Sequence, residues 1–486
     1  MKNINGYKQC TILPSAIYNF NIPHPLDAII EEIIHVGGHP YLVGGAVLDI
    51  VCSSKIGGDI ATIKDWDIEV FNISYEKLTR VLDDWGQSNL IGNKFGIAKL
   101  KLDGLDMEFS IPRLESKIGV KHQDFDIKLV PNLTIEEAAR RRDFTINAIY
   151  FSLKNGKIYD PTGRGIKDIR TSTLDSVCVN TFADDPLRIM RAVQMMSRKT
   201  LHFTHDLETD IYMSIMEGML KHVPGEAIFQ EFNKMWMEAN EDGILRALNF
   251  MEYTGIIEHF PELRAMERCE QKPEHHPEGN VWEHTKLVMA QATKYRDMLP
   301  EEWRLAYMWG MFVHDIGKPI SVDPETGSMK GHDYRGAKLA RVFMERLTLN
   351  KDLNDKICAI VEGHMRPRIM VDSNPKKSSW RRLQNICRLD ILAYVSVADS
   401  DGRTPELREG TEAKWFRHVM DVYKQLGEQD GKIPPIVMGR HLIEKGMIPS
   451  IEFSSILQQA YEIQLDTGSE SVEEILKIVL KGDTNE

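Results

Sequence analysis

Leu42-Val43-Gly44-Gly45-Ala46-Val47 and, about twenty residues further on, Lys64-Asp65-Trp66-Asp67-Ile68-Glu69-Val70 are the two stretches that decide how the amino-terminal part of this chain folds. In the first, two glycines stand between a short apolar strand and the start of a helix, where backbone N–H groups can approach a phosphate at the positive end of the helix. Alone, such a pair is ordinary turn chemistry. In the second, Asp65 and Asp67 are two apart at the start of a strand, so their carboxylates share a face. Adjacent carboxylates repel. Mg²⁺, a hard cation that takes carboxylate and phosphate oxygens, relieves that repulsion and can assist in-line displacement. Glu108, in Asp106-Met107-Glu108-Phe109, lies in a later strand and is the expected third member.

Outward from these stretches, strands are expected at Tyr41 to Val43, Ile68 to Phe71, Ile97 to Leu102, Met107 to Ile111 and Phe144 to Leu153. After Thr181 the spacing turns helical: Asp185 to Ser197, Leu207 to Met219, Glu226 to Glu238 and Asp242 to Glu252. The Pro/His-rich run Lys272 to Gly279 reads as an exposed connector, and Asp401 to Glu409 (DGRTPELRE) as a second boundary. The expected fold class is therefore α+β: a mixed α/β head, an all-α neck, a second all-α unit and a helical tail. The corresponding spans are an extension over 1–24, the head over 25–178, the neck over 179–271, the second unit over 272–402 and the tail over 403–486.

With 486 residues, 42% of them hydrophobic, the chain can pack several cores. Sixty Lys+Arg against seventy-two Asp+Glu give a formal charge of −12, which excludes a uniformly basic coat for nucleic acid. Residues 136–200 run the other way, with twelve Lys+Arg and eight Asp+Glu, and offer a local basic groove. The six cysteines (Cys10, Cys52, Cys178, Cys269, Cys358, Cys387) show no CxxC pairing and read as buried thiols of a reducing compartment. No apolar run suits a signal peptide or a bilayer span, so a soluble, cytoplasmic protein without membrane contact or an obligate protein partner is expected.

The motifs appear in a telling order: GGAV, DWD, Glu108 before Ile111-Pro112-Arg113, Arg141-Arg142-Asp143-Phe144-Thr145-Ile146-Asn147-Ala148, Asp160-Pro161, and Asp184-Asp185-Pro186-Leu187-Arg188. Over about residues 38 to 260 this resembles the class II nucleotidyltransferases, the bacterial-type CCA-adding enzymes and bacterial poly(A) polymerases. The resemblance implies a polymerase-β-like head in which Asp65 and Asp67 hold Mg²⁺ and activate the attacking 3′-hydroxyl, with Glu108 beside them. It also implies that Gly44 and Gly45 hold the triphosphate and that Arg142, Asp143 and Asn147 contact the nucleotide. Asp185 and Arg188, joined by Arg191, would present a protein template to the incoming base; three apart on a helical run, a carboxylate and a guanidinium face one way. The chain departs from the family pattern at Leu48, where an Arg usually precedes Asp49, at Asp184 for the usual Glu, and at Ala138 for an acidic residue. Ile91 to Ile97 lacks the basic strand of bacterial poly(A) polymerases, which favours CCA addition.

A second constellation follows on helices: His284, His314-Asp315, His332, His364 and Asp399. Imidazoles mixed with carboxylates suit Ni²⁺, Mn²⁺, Co²⁺ or Fe²⁺, with Mg²⁺ as a further candidate, better than a structural zinc. Val313-His314-Asp315-Ile316-Gly317-Lys318 resembles the signature of HD phosphohydrolases. On that resemblance His284, His314, Asp315 and Asp399 are the primary ligands, His332 and His364 are available to a second ion or the substrate phosphate, and Lys318 and Arg335 are phosphate contacts. His275 and His276 read as ordinary surface or core histidines. The expected partners are a tRNA 3′ end, CTP and ATP. The expected activity is addition of CMP, CMP and AMP, with a metal-dependent phosphatase or 2′,3′-cyclic phosphodiesterase at the HD unit. The alternatives are a poly(A) or A-only transferase, and an HD hydrolase whose transferase unit has decayed into an RNA-binding module.

Overall fold

Trp66, Ile68 and Val70 are buried on one side of a strand whose other side carries Asp65, Asp67, Glu69 and Phe71. That strand sits inside a seven-stranded mixed sheet. The computed structural model describes residues 11–13, 22–53, 63, 65–86, 96–117, 125–179, 181–403, 408–427 and 431–482. Lys64, Cys10, the residues 91–95 weighed above, and residues 404–407 lie outside this set. The strands are β1 (Thr11–Leu13), β2 (His39–Leu42), β3 (Asp65–Phe71), β4 (Ile97–Leu102), β5 (Leu105–Ser110), β6 (Arg113–Lys117), β7 (Phe125–Leu129), β8 (Tyr150–Ser152), β9 (Ile158–Asp160), β10 (Thr173–Leu174) and β11 (His202–Phe203). The large sheet runs β1-β9-β8-β2-β3-β5-β4; β3 and β5 are parallel and its other neighbours antiparallel.

The chain divides into two compact units, residues 1–228 with 250–259, and residues 229–249 with 260–486. The first holds the sheet and α1 (His24–His35), α2 (Gly45–Ser53), α3 (Tyr75–Asp83), α4 (Ile135–Ala139), α5 (Gly165–Thr171), α6 (Thr181–Asp184), α7 (Leu187–Arg198) and α8 (His205–Met216). Gly44, at φ +73°, makes the turn from β2 into α2 that an L side chain would resist. The far end of the Asp face of β3 is closed by a cluster in which Tyr41 meets Phe71, Tyr150 and Tyr159 edge-on at 5.3, 5.9 and 5.8 Å, with Ala138 and Ala139 of α4 in the same core. A single strand face thus runs from open at Asp65 to sealed at Phe71.

The division between the units falls within α9 (Gly225–Glu238) and α10 (Glu241–Tyr253). The second unit continues through α11 (Pro261–Glu267), α12 (Val281–Arg296), α13 (Glu301–Val313), α14 (His332–Glu345), α15 (Lys351–Gly363), α16 (Arg366–Ser373), α17 (Lys377–Ile386), α18 (Leu389–Asp401), α19 (Lys414–Gln425), α20 (Gly439–Glu444), α21 (Glu452–Thr467) and α22 (Val472–Gly482). Its aromatic core stacks Phe229 on Trp309 at 5.4 Å and sets Trp236 against Phe312 at 4.9 Å. A smaller carboxy-terminal core joins Leu442, Ile456, Ile475 and Leu476.

The α+β class and the helical carboxy-terminal half are as the pattern predicts. Phe144 to Leu153, however, is not one strand: Thr145–Asn147 is a 3₁₀ turn and only Tyr150–Ser152 pairs in the sheet. The side chain of Asp143 accepts from the Phe144 N–H at 2.8 Å and from Asn147 Nδ2 at 3.1 Å, and this local bonding replaces the ladder. Cys269, Cys358 and Cys387 are buried, but Cys52 and Cys178 are only half so.

Candidate functional site

In the first unit the parallel register pairs Asp65 with Asp106 and Asp67 with Glu108, so Asp65, Asp67 and Glu108 come together on one exposed end of the sheet. A Cβ built on Gly44 would stand 3.5 Å from Asp67 Oδ2, which puts the glycine turn directly beside the carboxylates. Gly45 opens α2 with open space over it. Lys99, opposite Glu108 on β4, reaches its Oε2 at 2.9 Å. The pKa of Asp67 is raised, first by the protein crowding its carboxyl, then by Glu108 and Asp65, with Arg142 and Lys99 pulling the other way. A carboxylate held against two like charges suits a hard divalent cation, and these all-oxygen donors fit one.

Behind the carboxylates lies a residue that motif reading passed over. Glu69, next along the same strand face and fully buried, accepts from Arg141 Nη2 at 2.5 Å and Arg142 Nη2 at 2.9 Å. Burial works against its charge, but the two guanidiniums hold its pKa down. The period-two continuation Asp65, Asp67, Glu69 was the signal that could have found it. Arg142 also lies over the Tyr150 ring at 5.6 Å. Asp143 and Asn147 are buried, and Asp143 Oδ2 accepts from Arg191 Nε at 2.7 Å. Arg188 donates to the Thr181 carbonyl at 3.2 Å and the Arg141 carbonyl at 2.5 Å. Arg188 and Asp185 do face each other, Nε to Oδ2 at 3.9 Å, but Asp185 precedes α7 rather than lying on it. Pro186 starts the helix and Asp185 Oδ1 accepts from the Leu187 N–H.

Packing accounts for two of the departures from the family pattern, Leu48 and Ala138, while Asp184 is exposed and nothing in the structure explains it. Leu48 is 5% exposed and belongs to the core, while Asp49 meets Lys199 Nζ at 2.7 Å. Ala138 is sealed in the aromatic cluster, where a carboxylate would be buried unpaired.

In the second unit, all six histidine and aspartate positions converge. His284 Nε2 lies 2.9 Å from Asp399 Oδ1 and 3.8 Å from Asp315 Oδ2; His314 Nε2 lies 3.1 Å from Asp315 Oδ2 and 3.8 Å from Asp399 Oδ1. The other Asp315 oxygen, Oδ1, faces His332 Nε2 at 3.3 Å and His364 Nε2 at 3.8 Å. Three of the rings donate Nδ1–H to the carbonyl three residues back: His314 to Met311 at 2.8 Å, His332 to Met329 at 2.9 Å, His364 to Val361 at 2.7 Å. That turns each Nε2 inward, the arrangement that ligating histidines adopt, with those of His332 and His364 3.3 Å apart. His314 Nε2 and both Asp315 oxygens are buried without a well-formed hydrogen bond. Burial opposes charge on Asp315 and on Asp399, but His314 and Lys318 hold the pKa of Asp315 far down, and His284 and His314 that of Asp399. Despite burial, Asp399 and Glu278 hold His284 up, and Asp315 holds His332 up. Burial and neighbouring His314 push His364 down to about 4. The pocket stabilises positive charge at its centre, and its mixed nitrogen and oxygen donors fit a divalent transition ion.

Two expectations change here. Lys318 does not stand free for a phosphate; it is buried, with Nζ 2.7 Å from Asp315 Oδ2 and 2.7 Å from Gln271 Oε1. Arg335 remains exposed. The run Lys272 to Gly279 is no exposed connector at its end, because the Glu278 side chain is 3% exposed and meets both His276 Nδ1 at 2.8 Å and His284 Nδ1 at 2.7 Å. His276, read as an ordinary histidine, therefore stands at the margin of the site, its ring 4.8 Å from that of His284.

Residues 40–175 match the model of the poly A polymerase head domain, and residues 281–401 that of the HD domain. Both kinds of domain generally need divalent metals. The multifunctional CCA protein of Actinobacillus pleuropneumoniae is 30% identical over 410 residues, covering 80% of this chain and 93% of that protein. This chain belongs to the multifunctional CCA protein family. The Shewanella denitrificans member is 28% identical over 403 residues, covering 80% and 90%. Among solved structures, the Bacillus stearothermophilus CCA-adding enzyme in complex with CTP has a TM-score of 0.61 at 19% identity, covering 95% of this chain and 97% of that one. The Thermotoga maritima CCA-adding enzyme complexed with tRNA has a TM-score of 0.55 at 18% identity, covering 97% and 99%. No helix among the described residues is long and apolar enough to cross a membrane.

Proposed function

We propose that this family member completes tRNA 3′ ends in the cytoplasm, adding CMP, CMP and AMP from CTP and ATP. Its second unit acts as a metal-dependent phosphohydrolase on terminal or 2′,3′-cyclic phosphates. The observation that carries the reading is the pairing of Asp67 with Glu108 across parallel strands beside the Gly44 turn. Asp65, Asp67 and Glu108 would hold Mg²⁺, which when bound supplies charge neutralisation at the triphosphate and a more acidic 3′-hydroxyl. Gly44 and Gly45 offer main-chain N–H groups at the start of α2 to the phosphates. Asp185 and Arg188 present an acceptor and donors to the base edge, with Arg188 braced by two main-chain carbonyls so that its guanidinium keeps one orientation. Arg142, Asp143, Asn147 and Arg191 frame the nucleotide through the Glu69 and Asp143 networks.

In the second unit, His284, His314, Asp315 and Asp399 would hold one divalent ion, of Ni²⁺, Mn²⁺, Co²⁺, Fe²⁺ or Mg²⁺. His332 and His364, on the other Asp315 oxygen, serve a second ion or the phosphate. Such an ion supplies an activated water for attack on a phosphoester. Lys318 neutralises Asp315, and Arg335 is the solvent-facing cation for the substrate phosphate.

The test is a tRNA transcript ending at the discriminator base, incubated with Mg²⁺ and CTP, ATP or both, and read at single-nucleotide resolution. Two additions with CTP and a third only with both nucleotides is the expected result. A long ladder with ATP alone would instead make the chain a poly(A) polymerase, and no extension would leave the hydrolase as its activity.

A further inference from the structure

The four imidazoles of the second unit do not get their orientation in the same way. His314 and His364 follow directly on the ends of α13 and α15, where the last carbonyls of a helix lack a partner within it. Met311 O and Val361 O are such groups, and the imidazole Nδ1–H satisfies them while turning Nε2 inward. His332, at the first position of α14, uses Met329 O in the turn before it. His284 has no such carbonyl. It lies in the first turn of α12, four residues after the cap Asn280, and the carbonyl three residues back, Val281 O, already accepts from Thr285 Oγ1 at 2.8 Å. The chain supplies a carboxylate instead: Glu278 Oε1, from the segment leading into α12, stands 2.7 Å from His284 Nδ1.

We infer that Glu278 is a positioning residue for the metal ligand His284, fixing its Nδ1–H tautomer so that the Nε2 lone pair faces Asp399 and the cation, and that His276 competes for the same carboxylate oxygen. On the other side of the ring His284 Nε2 stands 2.9 Å from Asp399 Oδ1, so a ring held at Nδ1 by the buried Glu278 carboxylate presents Nε2 to Asp399. A carboxylate is also a stronger acceptor than a carbonyl, so it is suited to hold this ring where no main-chain acceptor is available. The segment is itself braced: Gln271 bridges Lys318 Nζ and the Gly279 carbonyl, and Asn280 caps α12 by accepting from the Glu283 N–H at 2.9 Å. His276 Nδ1, at 2.8 Å from the same Glu278 oxygen, draws on the charge that His284 needs.

The inference rests on reading the His/Asp cluster as a metal centre, and its test separates the two. The full chain, stripped of metal, is titrated with Co²⁺, whose visible absorption reports imidazole coordination, in wild type, Glu278→Gln, His276→Ala and His284→Ala. Glu278→Gln is expected to weaken Co²⁺ binding by roughly 10–100-fold, the usual effect of removing such a partner. His276→Ala is expected to hold or strengthen binding, and the circular-dichroism melt of Glu278→Gln is expected to match wild type, which reports that the second unit is folded. Wild-type Co²⁺ affinity in Glu278→Gln, alongside loss in His284→Ala, overturns the positioning role and leaves the centre standing. Equal weakening in His276→Ala and Glu278→Gln also overturns it, since the segment rather than the carboxylate would then matter. Absence of any Co²⁺ band sensitive to His284→Ala removes the centre and the role together.

Discussion

Replacing Glu69 by glutamine keeps the shape of the side chain and removes the buried carboxylate with which both Arg141 and Arg142 pair. Glu69 is 0% exposed, so the variant leaves two guanidiniums facing a neutral amide at the base of the sheet. Breaking a fully buried ion pair from one side costs about 3–5 kcal/mol. The arginine side chains are 20% and 19% exposed and can recruit some water, which moves the expectation toward the lower end. At roughly 2–4 °C per kcal/mol for a unit of this size, the first unit should melt about 6–15 °C lower. The pH dependence has a definite sign. The folded pKa of Glu69 lies below its ordinary value of 4.5, so its contribution is fully present above that value and is lost as pH falls through the lower folded one. The gap between wild type and Glu69→Gln, measured by calorimetry from pH 7 downward, should therefore be constant to about pH 5 and close in acid. Because Arg141 also supplies the carbonyl that holds Arg188, the variant should misincorporate ATP in place of CTP more than it slows CTP addition. A melting point within experimental error of wild type at pH 7 would refute the charge argument.

The remaining expectations are simpler. Asp67→Asn should abolish CTP incorporation while shifting stability by no more than roughly 0.5 kcal/mol, since Asp67 is solvent-facing and crowded by like charge; a variant that is active, or one that unfolds, contradicts the assignment. Gly44→Ala forces a Cβ into a left-handed turn at a cost of roughly 1–2 kcal/mol and strains the main chain that opens α2, so KM for CTP should rise; unchanged KM and stability would mean that the turn relaxes freely. Leu48→Arg, which restores the commoner residue of the family, should destabilise rather than activate because the position is core, and enhanced incorporation with unchanged melting would show otherwise. Asp315→Ala should remove the hydrolytic opening of a 2′,3′-cyclic phosphate to its phosphomonoester and leave CTP addition intact; parallel loss of both activities would deny the two sites their independence.

What was legible in the chain was what depends on short spacing. The alternation in Asp65-Trp66-Asp67 gives both the strand and the shared carboxylate face, and the Gly44 turn follows from a residue type that alone tolerates its φ. The convergence of His284, His314, Asp315 and Asp399 could be named from motif order, but not the way each ring is held. Glu69 and Glu278 were passed over for different reasons: Glu69 acts on Arg141 and Arg142, distant in sequence, whereas Glu278 acts on nearby His276 and His284 from a run whose composition reads as an exposed connector. Phe144 to Leu153 misled because its apolar pattern is also that of a buried turn held by Asp143. Lys272 to Gly279 misled because Pro, His and Gly mark a break in helix without saying whether it is exposed.

The two sites solve the problem of concentrated charge in opposite ways. On β3 the carboxylates grade along one face from open to sealed, and Glu69, the first that water cannot reach, is neutralised inside the protein by arginines. Asp65 and Asp67 stay at the open end of that face, beside Glu108 and the Gly44 turn. In the helical unit nothing is graded: Asp315 and the histidines are all enclosed, so the orientation of each ring must be fixed before any ion enters. Main-chain carbonyls do this for three of the four imidazoles, His314 and His364 at helix ends and His332 from the turn before α14. The carbonyl three residues before His284 already accepts from Thr285, and a side chain stands at the His284 Nδ1 instead. It follows that neutralising one carboxylate should act differently in the two units. At Asp67 it removes chemistry and spares the fold, whereas at Glu278 it spares both the fold and the ligands and changes only how tightly an ion is held.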